Sequence, residues 1–209
     1  MEHEITCSNC TNCDGSCSSC SECDTPTATA AHLHETQIAT ETVYNGRILK
    51  LTNDTVKLEN GQAAQREVIH HPGGACIVPL TDAMEVLMVR QFRYPHNEIT
   101  LEVPAGKLEY GEDPKACAVR ELQEEVGATA KQIFYLGCLY PTPAYDKEVI
   151  HMYLATGLTF AERNPDADEF LDVVKMPLTQ VVSMVMDNRV PDAKTQLALL
   201  KTMHMMYTS

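Results

Sequence analysis

Three glutamates in the middle of the chain have the spacing of a cation-binding cluster. Glu121 lies three residues before Glu124 and four before Glu125, so a helix would present all three carboxylates on one side. Clustered carboxylates repel one another, and a stretch that gathers them usually holds a cation. The chemistry indicated is that of a divalent metal ion that neutralises and polarises an anionic substrate.

Local signals place this cluster on a helix. Asp113 is a suitable N-cap, Pro114 occupies a first-turn position that tolerates proline, and Gly127 supplies a C-terminal stop. Residues 104–111 before the helix predict a loop rather than a strand. The apolar stripe expected to bury the opposite side of the helix consists of Val119, Leu122 and Val126.

The loop and the helix together match a longer pattern. Gly106, Glu112 and the run from Arg120 to Ala128 fit GX5EX7REUXEEXGU, in which U is an aliphatic residue. This pattern resembles the Nudix box, and its fixed spacing is far more specific than a lone glycine motif. The alternative is a solvated acidic helix with glycines at both ends, which leaves the match of the preceding loop unexplained.

Further stretches are similar to the ADP-ribose pyrophosphatase branch of the Nudix family. The mark of that branch is a proline some way after the box, and Pro143 lies fifteen residues after Ala128. The likeness covers roughly residues 38 to 207, and the other matching stretches are Arg66-Glu67, Gln91–Tyr94, Leu101–Gly106, Tyr140–Pro143 and Asp192–Thr195. It implies a Nudix α/β/α sandwich with a mixed sheet, and a homodimer that exchanges its N-terminal β meander.

The resemblance also implies which residues bind metal. Glu121 and Glu125 are the expected ligands of Mg²⁺, or of Mn²⁺ in its place, together with the backbone oxygen of Ala105. Glu124 is a third or water-mediated ligand. Arg120 precedes Glu124 by four residues and would orient that carboxylate through an ion pair.

Hydrolysis also requires a base that activates water. Glu148, in the loop before a predicted strand, matches the family's loop carboxylate, which acts as base, metal ligand or both. The alternative is that Glu148 is only a charge at a strand edge. For Arg120 and Glu112 the alternative is purely structural support, and Glu112 would then bond within the box. The expected catalytic residues are Glu148, Glu124 and Arg120.

Substrate binding requires cations and a pocket for the base. Guanidinium groups suit phosphate or a stacked purine, although surface ion pairs are the alternative for both arginines. A structural role at a strand end is the alternative for Glu102. The resemblance assigns substrate binding to Arg66, Arg93, Glu102, Ile48, Thr142 and Pro143.

Composition limits the class of protein. A chain of 209 residues accommodates one α/β domain plus an extension. The net charge of −13 makes nucleic acid and anionic membranes unfavourable partners. No apolar run approaches membrane-spanning length, and the N-terminus lacks the pattern of a secretion signal. We therefore expect a cytoplasmic protein.

Residues 1–37 differ from the rest of the chain. Six cysteines fall within 17 residues there, namely Cys7, Cys10, Cys13, Cys17, Cys20 and Cys23. The segment has almost nothing apolar to bury, so it cannot fold without metal or cross-links, and disulfides are disfavoured in a reducing cytosol. Three alternatives stay open: a disordered tail, a Zn²⁺ or other soft-metal site, and an iron–sulfur cluster.

The remaining residues predict an N-terminal meander and a main sheet. The meander strands are Val43–Leu51, Thr55–Leu58 and Arg66–Ile69, with turns at Asn53-Asp54 and Asn60-Gly61. The main strands are Ala75–Leu80, Glu85–Val89, Glu98–Val103, Ile133–Tyr140 and Val149–Ala155, and the closing helices are Leu178–Asn188 and Ala193–Met206, the second capped by Asp192. The predicted division is a tail and linker (1–37), a meander for dimerisation and substrate (38–70) and a hydrolase domain (71–209).

The function that follows is Mg²⁺-dependent hydrolysis of ADP-ribose to AMP and ribose 5-phosphate. One alternative is another nucleoside diphosphate sugar, such as GDP-mannose or ADP-glucose. A second alternative is a non-catalytic module that senses a ligand or metal and signals through the cysteine segment.

Overall fold

The computed structural model describes residues 33–163 and 170–208. The cysteines Cys7 to Cys23 and their predicted chemistry lie outside the described residues. No helix in the described ranges is both long enough and apolar enough to cross a membrane. The described residues divide into a small unit, 33–40 with 54–66, and a larger unit, 41–53 with 67–208.

Ten strands and three helices make up the described ranges. In chain order they are β1 (Thr36–Asn45), β2 (Lys50–Lys57), β3 (Ala63–His70), β4 (Gly74–Pro79), β5 (Glu85–Arg93), β6 (Glu98–Glu102), β7 (Ala105–Lys107), α1 (Pro114–Val126), β8 (Ala128–Leu139), β9 (Ile150–Phe160), β10 (Leu171–Pro177), α2 (Leu178–Met186) and α3 (Ala193–Thr208). The sheets have the strand orders β1-β2-β3, β10-β5-β6 and β7-β4-β9-β8.

The larger unit is a sandwich of strands between helices. β4 and β9 run parallel, whereas β7 and β8 pair antiparallel with this central pair, so the sheet is mixed. Side chains alternate along a strand, so Ile77 of β4 packs in the cluster that contains Leu122 of α1. Val78 of β4 packs in the other cluster, with Leu178 of α2 and Leu199 of α3. The predicted α/β/α arrangement with a mixed sheet is confirmed.

The first predicted turn of the meander is wrong, and the second is confirmed. The chain turns at Gly46, whose backbone N–H donates to the oxygen of Leu49, rather than at Asn53-Asp54. Asp54 instead lies buried within β2, where its carboxylate accepts a hydrogen bond from Thr40. Local polarity predicted a turn, but this hydrogen bond satisfies the polar side chain inside the sheet. The turn at Gly61 forms with φ of 81°.

Three local predictions around the central helix differ from the structure. Residues 105–107 form a short strand that pairs with β4, where a loop was expected. β10 was not predicted at all. Val119 is exposed, and Cys117 and Ala118 are buried with the rest of the stripe instead. A three-residue strand carries no periodicity of its own, because pairing with a distant strand creates it.

Candidate active site

The ends of α1 fix where its glutamates point. The side chain of Asp113 accepts hydrogen bonds from the backbone of Lys115 and Ala116, as predicted for an N-cap. Gly127 ends the helix in the left-handed conformation, with φ of 69°. The helix therefore begins and ends at fixed residues, and its buried side includes Glu121 and Glu125, which are 4% and 2% exposed.

Gly106 makes room for the carboxylate of Glu121. A Cβ atom at position 106 would lie 1.6 Å from Oε1 of Glu121, far inside contact distance. Only a glycine lets the carboxylate approach the backbone this closely. The carboxylate of Glu121, the first helical glutamate of the predicted pattern, therefore fills the space that a side chain at Gly106 would need.

Glu125 contacts the residue before Gly106, which is Ala105. Its Oε2 accepts a hydrogen bond from the backbone N–H of Ala105 at 3.1 Å. The preceding residue is also fixed, because the oxygen of Pro104 accepts from the N–H of Ile77 at 2.9 Å. The loop between β6 and β7 is thus held on one side by β4 and on the other by α1.

Arg120 joins three carboxylates. Its Nε donates to Oε1 of Glu112 at 3.0 Å, and its Nη1 donates to Glu121 at 2.6 Å and to Glu124 at 2.8 Å. Nη2 also donates to the backbone oxygen of Lys107 at 3.2 Å. The hydrogen bond to Glu112 is the largest cause of the raised pKa of Arg120. The same hydrogen bond is the largest cause of the lowered pKa of Glu112.

The donor set fits a hard divalent cation. Glu112, Glu121, Glu124 and Glu125 supply only oxygen atoms, which Mg²⁺ and Mn²⁺ prefer, and one guanidinium is shared among the first three. The site therefore has excess negative charge. Within 33–163 and 170–208, no three His, Cys, Asp or Glu side chains already converge on one cation position. Arg120 is bonded to three of the carboxylates in this arrangement, so binding a cation would require them to turn.

A second ion cluster lies just before this loop, around Glu102. Arg93 donates to both carboxylate oxygens at 2.7 Å, Thr100 donates at 2.6 Å, and Lys194 forms a further short bond. Burial raises the pKa of Glu102, but the hydrogen bond from Arg93 and the charge of Lys194 outweigh it and lower the pKa to about 2. Glu102 is therefore held as a carboxylate.

The Glu102 cluster should make stability depend on pH. Because the folded-state pKa is depressed from 4.5 to about 2, its stabilisation is complete above about pH 5 and is lost as the pH falls toward 2. The shift corresponds to about 3 kcal/mol of unfolding free energy. Urea unfolding should show that Glu102→Gln costs stability at about pH 6 and much less at about pH 3. An equal cost at both pH values would contradict this explanation.

Glu148 lies beside His71. Nδ1 of His71 is 3.2 Å from Oε1 of Glu148 and accepts a hydrogen bond from the backbone N–H of Gly73 at 3.1 Å. Burial raises the pKa of Glu148, and the negative charge of Asp146 raises it further. The positive charges of His71 and Lys194 act in the opposite direction and only partly offset this rise. A half-buried carboxyl group with a raised pKa has the character of a general base.

The segment that carries Glu148 is attached to the end of β3. The backbone N–H of Ile69 donates to the oxygen of Tyr145 at 2.7 Å, and the N–H of Lys147 donates back to Ile69 at 3.0 Å. The carboxylate of Asp146 then accepts from the backbone N–H of Glu148 at 2.9 Å. These bonds fix the main chain that leads to Glu148.

Residues 70–200 match the NUDIX domain, and residues 35–69 match the nucleoside diphosphate sugar hydrolase N-terminal domain. The chain belongs to the Nudix family. The predicted membership is therefore confirmed, and α1 with its preceding loop is the Nudix helix and loop.

Curated Nudix relatives match most of the chain. An ADP-ribose pyrophosphatase of Bacillus subtilis (strain 168) is 40% identical over 169 residues, which cover 80% of this chain and 91% of the relative. A methanol dehydrogenase activator of Bacillus methanolicus is 39% identical over 167 residues, covering 79% and 90%. A solved structure of an ADP compounds hydrolase, 24% identical with a TM-score of 0.75, covers 84% of this chain and 96% of its own and has the same fold.

The structure groups the expected Nudix residues unevenly. Arg120 brings Glu121 and Glu124 together, and Arg93 is bonded to Glu102. The other predicted substrate residues lie in separate settings. Arg66 is paired with Glu35 in the small unit, and Ile48 is exposed in the turn between β1 and β2. The backbone oxygen of Thr142 accepts a hydrogen bond from the backbone N–H of Asp146 at 3.1 Å, and Pro143 is exposed.

Two residues at the Nudix site were not predicted. His71 follows a strand and is 77 positions before Glu148 in the chain, so no spacing pattern connects them. Lys194 is 92 positions from Glu102. The only sequence signal for Lys194 is its place in the stretch Asp192–Thr195, which resembles the branch without indicating a contact.

Proposed function

We propose that this protein hydrolyses the pyrophosphate bond of ADP-ribose and releases AMP and ribose 5-phosphate with Mg²⁺, or Mn²⁺, as cofactor. The observation that carries the proposal is the pair of buried carboxylates of α1, Glu121 and Glu125, packed against Ala105 and Gly106 of β7. The relative from Bacillus subtilis is named an ADP-ribose pyrophosphatase, which supports this substrate in particular.

The cation would be held by carboxylates from two places in the chain. Glu121 and Glu125 come from α1 with Glu124 beside them, the backbone oxygen of Ala105 comes from the loop, and Glu148 comes from the segment before β9. A bound divalent cation supplies neutralisation of the diphosphate charge and polarisation of the phosphorus. To hold the cation, Glu121 and Glu124 would turn away from Arg120, which orients both carboxylates in the structure.

The side chains perform the proton transfer and orient the substrate. Glu148 accepts a proton from the water that attacks phosphorus, the bond between phosphorus and the bridging oxygen breaks, and the leaving phosphate takes the electron pair. His71 lies beside Glu148, with Nδ1 3.2 Å from Oε1. Arg93 binds phosphate or stacks on adenine, and Glu102 contacts the ribose. Ile48, Thr142 and Pro143 complete the substrate pocket.

The proposed enzyme is a cytoplasmic homodimer. Cys76, Cys117 and Cys138 are free thiols, a state that a reducing compartment preserves. The meander carries exposed apolar side chains on strand β1 and in the turn that follows it, namely Ile38, Val43, Tyr44, Ile48 and Leu49. A second copy of the chain that packs on this meander would cover them.

Another nucleoside diphosphate sugar is the second candidate substrate. The match of residues 35–69 to the N-terminal domain of nucleoside diphosphate sugar hydrolases favours this class without specifying the base. The position where the branch stacks adenine is Ile48, which has no aromatic ring. A non-catalytic sensing module is less consistent with four glutamates gathered at one loop.

Initial rates of nucleoside monophosphate release should be compared for ADP-ribose, ADP-glucose and GDP-mannose at one Mg²⁺ concentration. We expect kcat/KM to be at least about tenfold higher for ADP-ribose than for the other two substrates. That ratio corresponds to about 1.4 kcal/mol of differential binding in the transition state. Equal values, or a preference for GDP-mannose, would contradict the assigned substrate while leaving the reaction class intact.

A further inference from the structure

The carboxylate of Glu102 has two cationic partners that differ in exposure. The side chain of Arg93 is 39% exposed, whereas that of Lys194 is 11% exposed, and Glu102 itself is 3% exposed. Thr100 adds a hydroxyl donor from the same strand. One cation therefore faces solvent and the other faces the interior.

Lys194 is fixed more firmly than Arg93. Its Nζ donates to Oδ1 of Asp192 at 3.0 Å as well as to Glu102. Asp192 also accepts from the backbone N–H of Thr195 at 3.0 Å, which anchors the first turn of α3. The hydroxyl of Thr195 in turn accepts from the backbone N–H of Val103 at 2.9 Å. The start of α3 and the end of β6 thus form one bonded unit around Lys194.

The number of partners decides whether Arg93 can leave. A buried carboxylate with a single counter-ion holds it tightly, because separation would leave an uncompensated charge in the interior. If Arg93 moved away, Glu102 would retain the hydroxyl of Thr100 and the charge of Lys194, which it shares with Asp192. A guanidinium binds a phosphate with the same two-pronged geometry with which it binds a carboxylate. Arg93 can therefore exchange one anion for the other.

We propose that Lys194 is a positioning residue that keeps Glu102 compensated, so that Arg93 is released from it to bind the diphosphate of the substrate. This inference rests on the proposed function, because it takes a diphosphate as the ligand of Arg93. The role belongs to substrate binding, and Lys194 itself touches neither the substrate nor the reacting atoms.

The decisive variant is Lys194→Met, which removes the charge and preserves most of the side-chain length. Arg93 then becomes the sole cation on Glu102 and is available to substrate for a smaller fraction of time. We expect KM for ADP-ribose to rise about tenfold with kcat within about twofold, since apparent affinity falls with the competent fraction. Lys194→Arg, which keeps the charge, should restore most of the affinity.

A second substitution separates this role from structural support. In the double variant Lys194→Met/Glu102→Gln, the neutral amide no longer retains Arg93, so KM should fall back toward the value for Glu102→Gln alone. This double variant also removes the buried negative charge that has lost one of its two cations, so it tests the idea even if Lys194→Met folds poorly. The matched control is Lys201→Met, also on α3, whose Nζ donates to the oxygen of Leu136 and whose loss should leave KM unchanged.

Several results would overturn the proposal. These are an unchanged KM in Lys194→Met, a fall in kcat alone, or no recovery in the double variant. If the wild type releases no AMP from any diphosphate sugar, the proposed function fails separately. Calorimetric titration with ADP then still decides the role of Lys194: about tenfold weaker binding in Lys194→Met supports it, and equal binding overturns it.

Discussion

Glu125→Gln is expected to lower kcat/KM for ADP-ribose by about 10³-fold, because a metal carboxylate contributes several kcal/mol of charge stabilisation. The amide nearly matches the carboxylate in volume, and its oxygen can still accept the hydrogen bond that Ala105 donates to Glu125. Removal of one of several clustered negative charges also relieves repulsion. The melting temperature without metal should therefore stay the same or rise.

The control for this substitution is Glu59→Gln, which removes a charge from an exposed turn. It should leave both turnover and the Mg²⁺ dependence unchanged. Turnover in Glu125→Gln within about tenfold of wild type, at saturating Mg²⁺, would mean that this carboxylate is not a metal ligand. A large fall in melting temperature would instead indicate a structural role.

Gly106→Ala is expected to lower kcat by about 10²-fold, the cost of a displacement of about 1 Å in a catalytic group. The new methyl group would overlap Oε1 of Glu121. That atom is the end of a flexible side chain, so the carboxylate can move aside and the backbone can stay in place. We therefore expect a large loss of activity with a small change in unfolding free energy, measured by urea denaturation.

The control is Gly61→Ala, which should lower stability and leave activity unchanged. Gly61 has φ of 81° and no atom near the position of an added Cβ. Alanine there should cost about 1 kcal/mol of stability through backbone strain while turnover stays at the wild-type rate. The role assigned to Gly106 would be wrong if Gly106→Ala lost stability and kept the wild-type turnover rate, as Gly61→Ala is expected to do.

The Nudix helix was predictable because its signals are local. Asp113 and Gly127 define its ends within a few residues, and the spacing of Glu121 and Glu125 then fixes their common side. None of these signals depends on a distant part of the chain. Strands β4, β5 and β9 were predictable for the same reason, since buried strands read as apolar runs.

The remaining features of the site depend on tertiary contacts. The pairing of residues 105–107 with β4, and the contacts of His71 with Glu148 and of Lys194 with Glu102, join positions that are distant in sequence. Polarity at Asn53-Asp54 predicted a turn because local patterns do not register a hydrogen bond from another strand. Sequence spacing therefore identified the carboxylates of α1 and the pairing of Arg120 with Glu124, but not the contacts of His71 and Lys194.

The most direct test of the proposed chemistry is product analysis of ADP-ribose after chelation and after Mg²⁺ is restored. Protein treated with EDTA should give no product, and added Mg²⁺ should give AMP and ribose 5-phosphate in equal amounts, separated by chromatography. Absence of AMP at every Mg²⁺ concentration, or cleavage at any bond other than the pyrophosphate, would contradict the assignment.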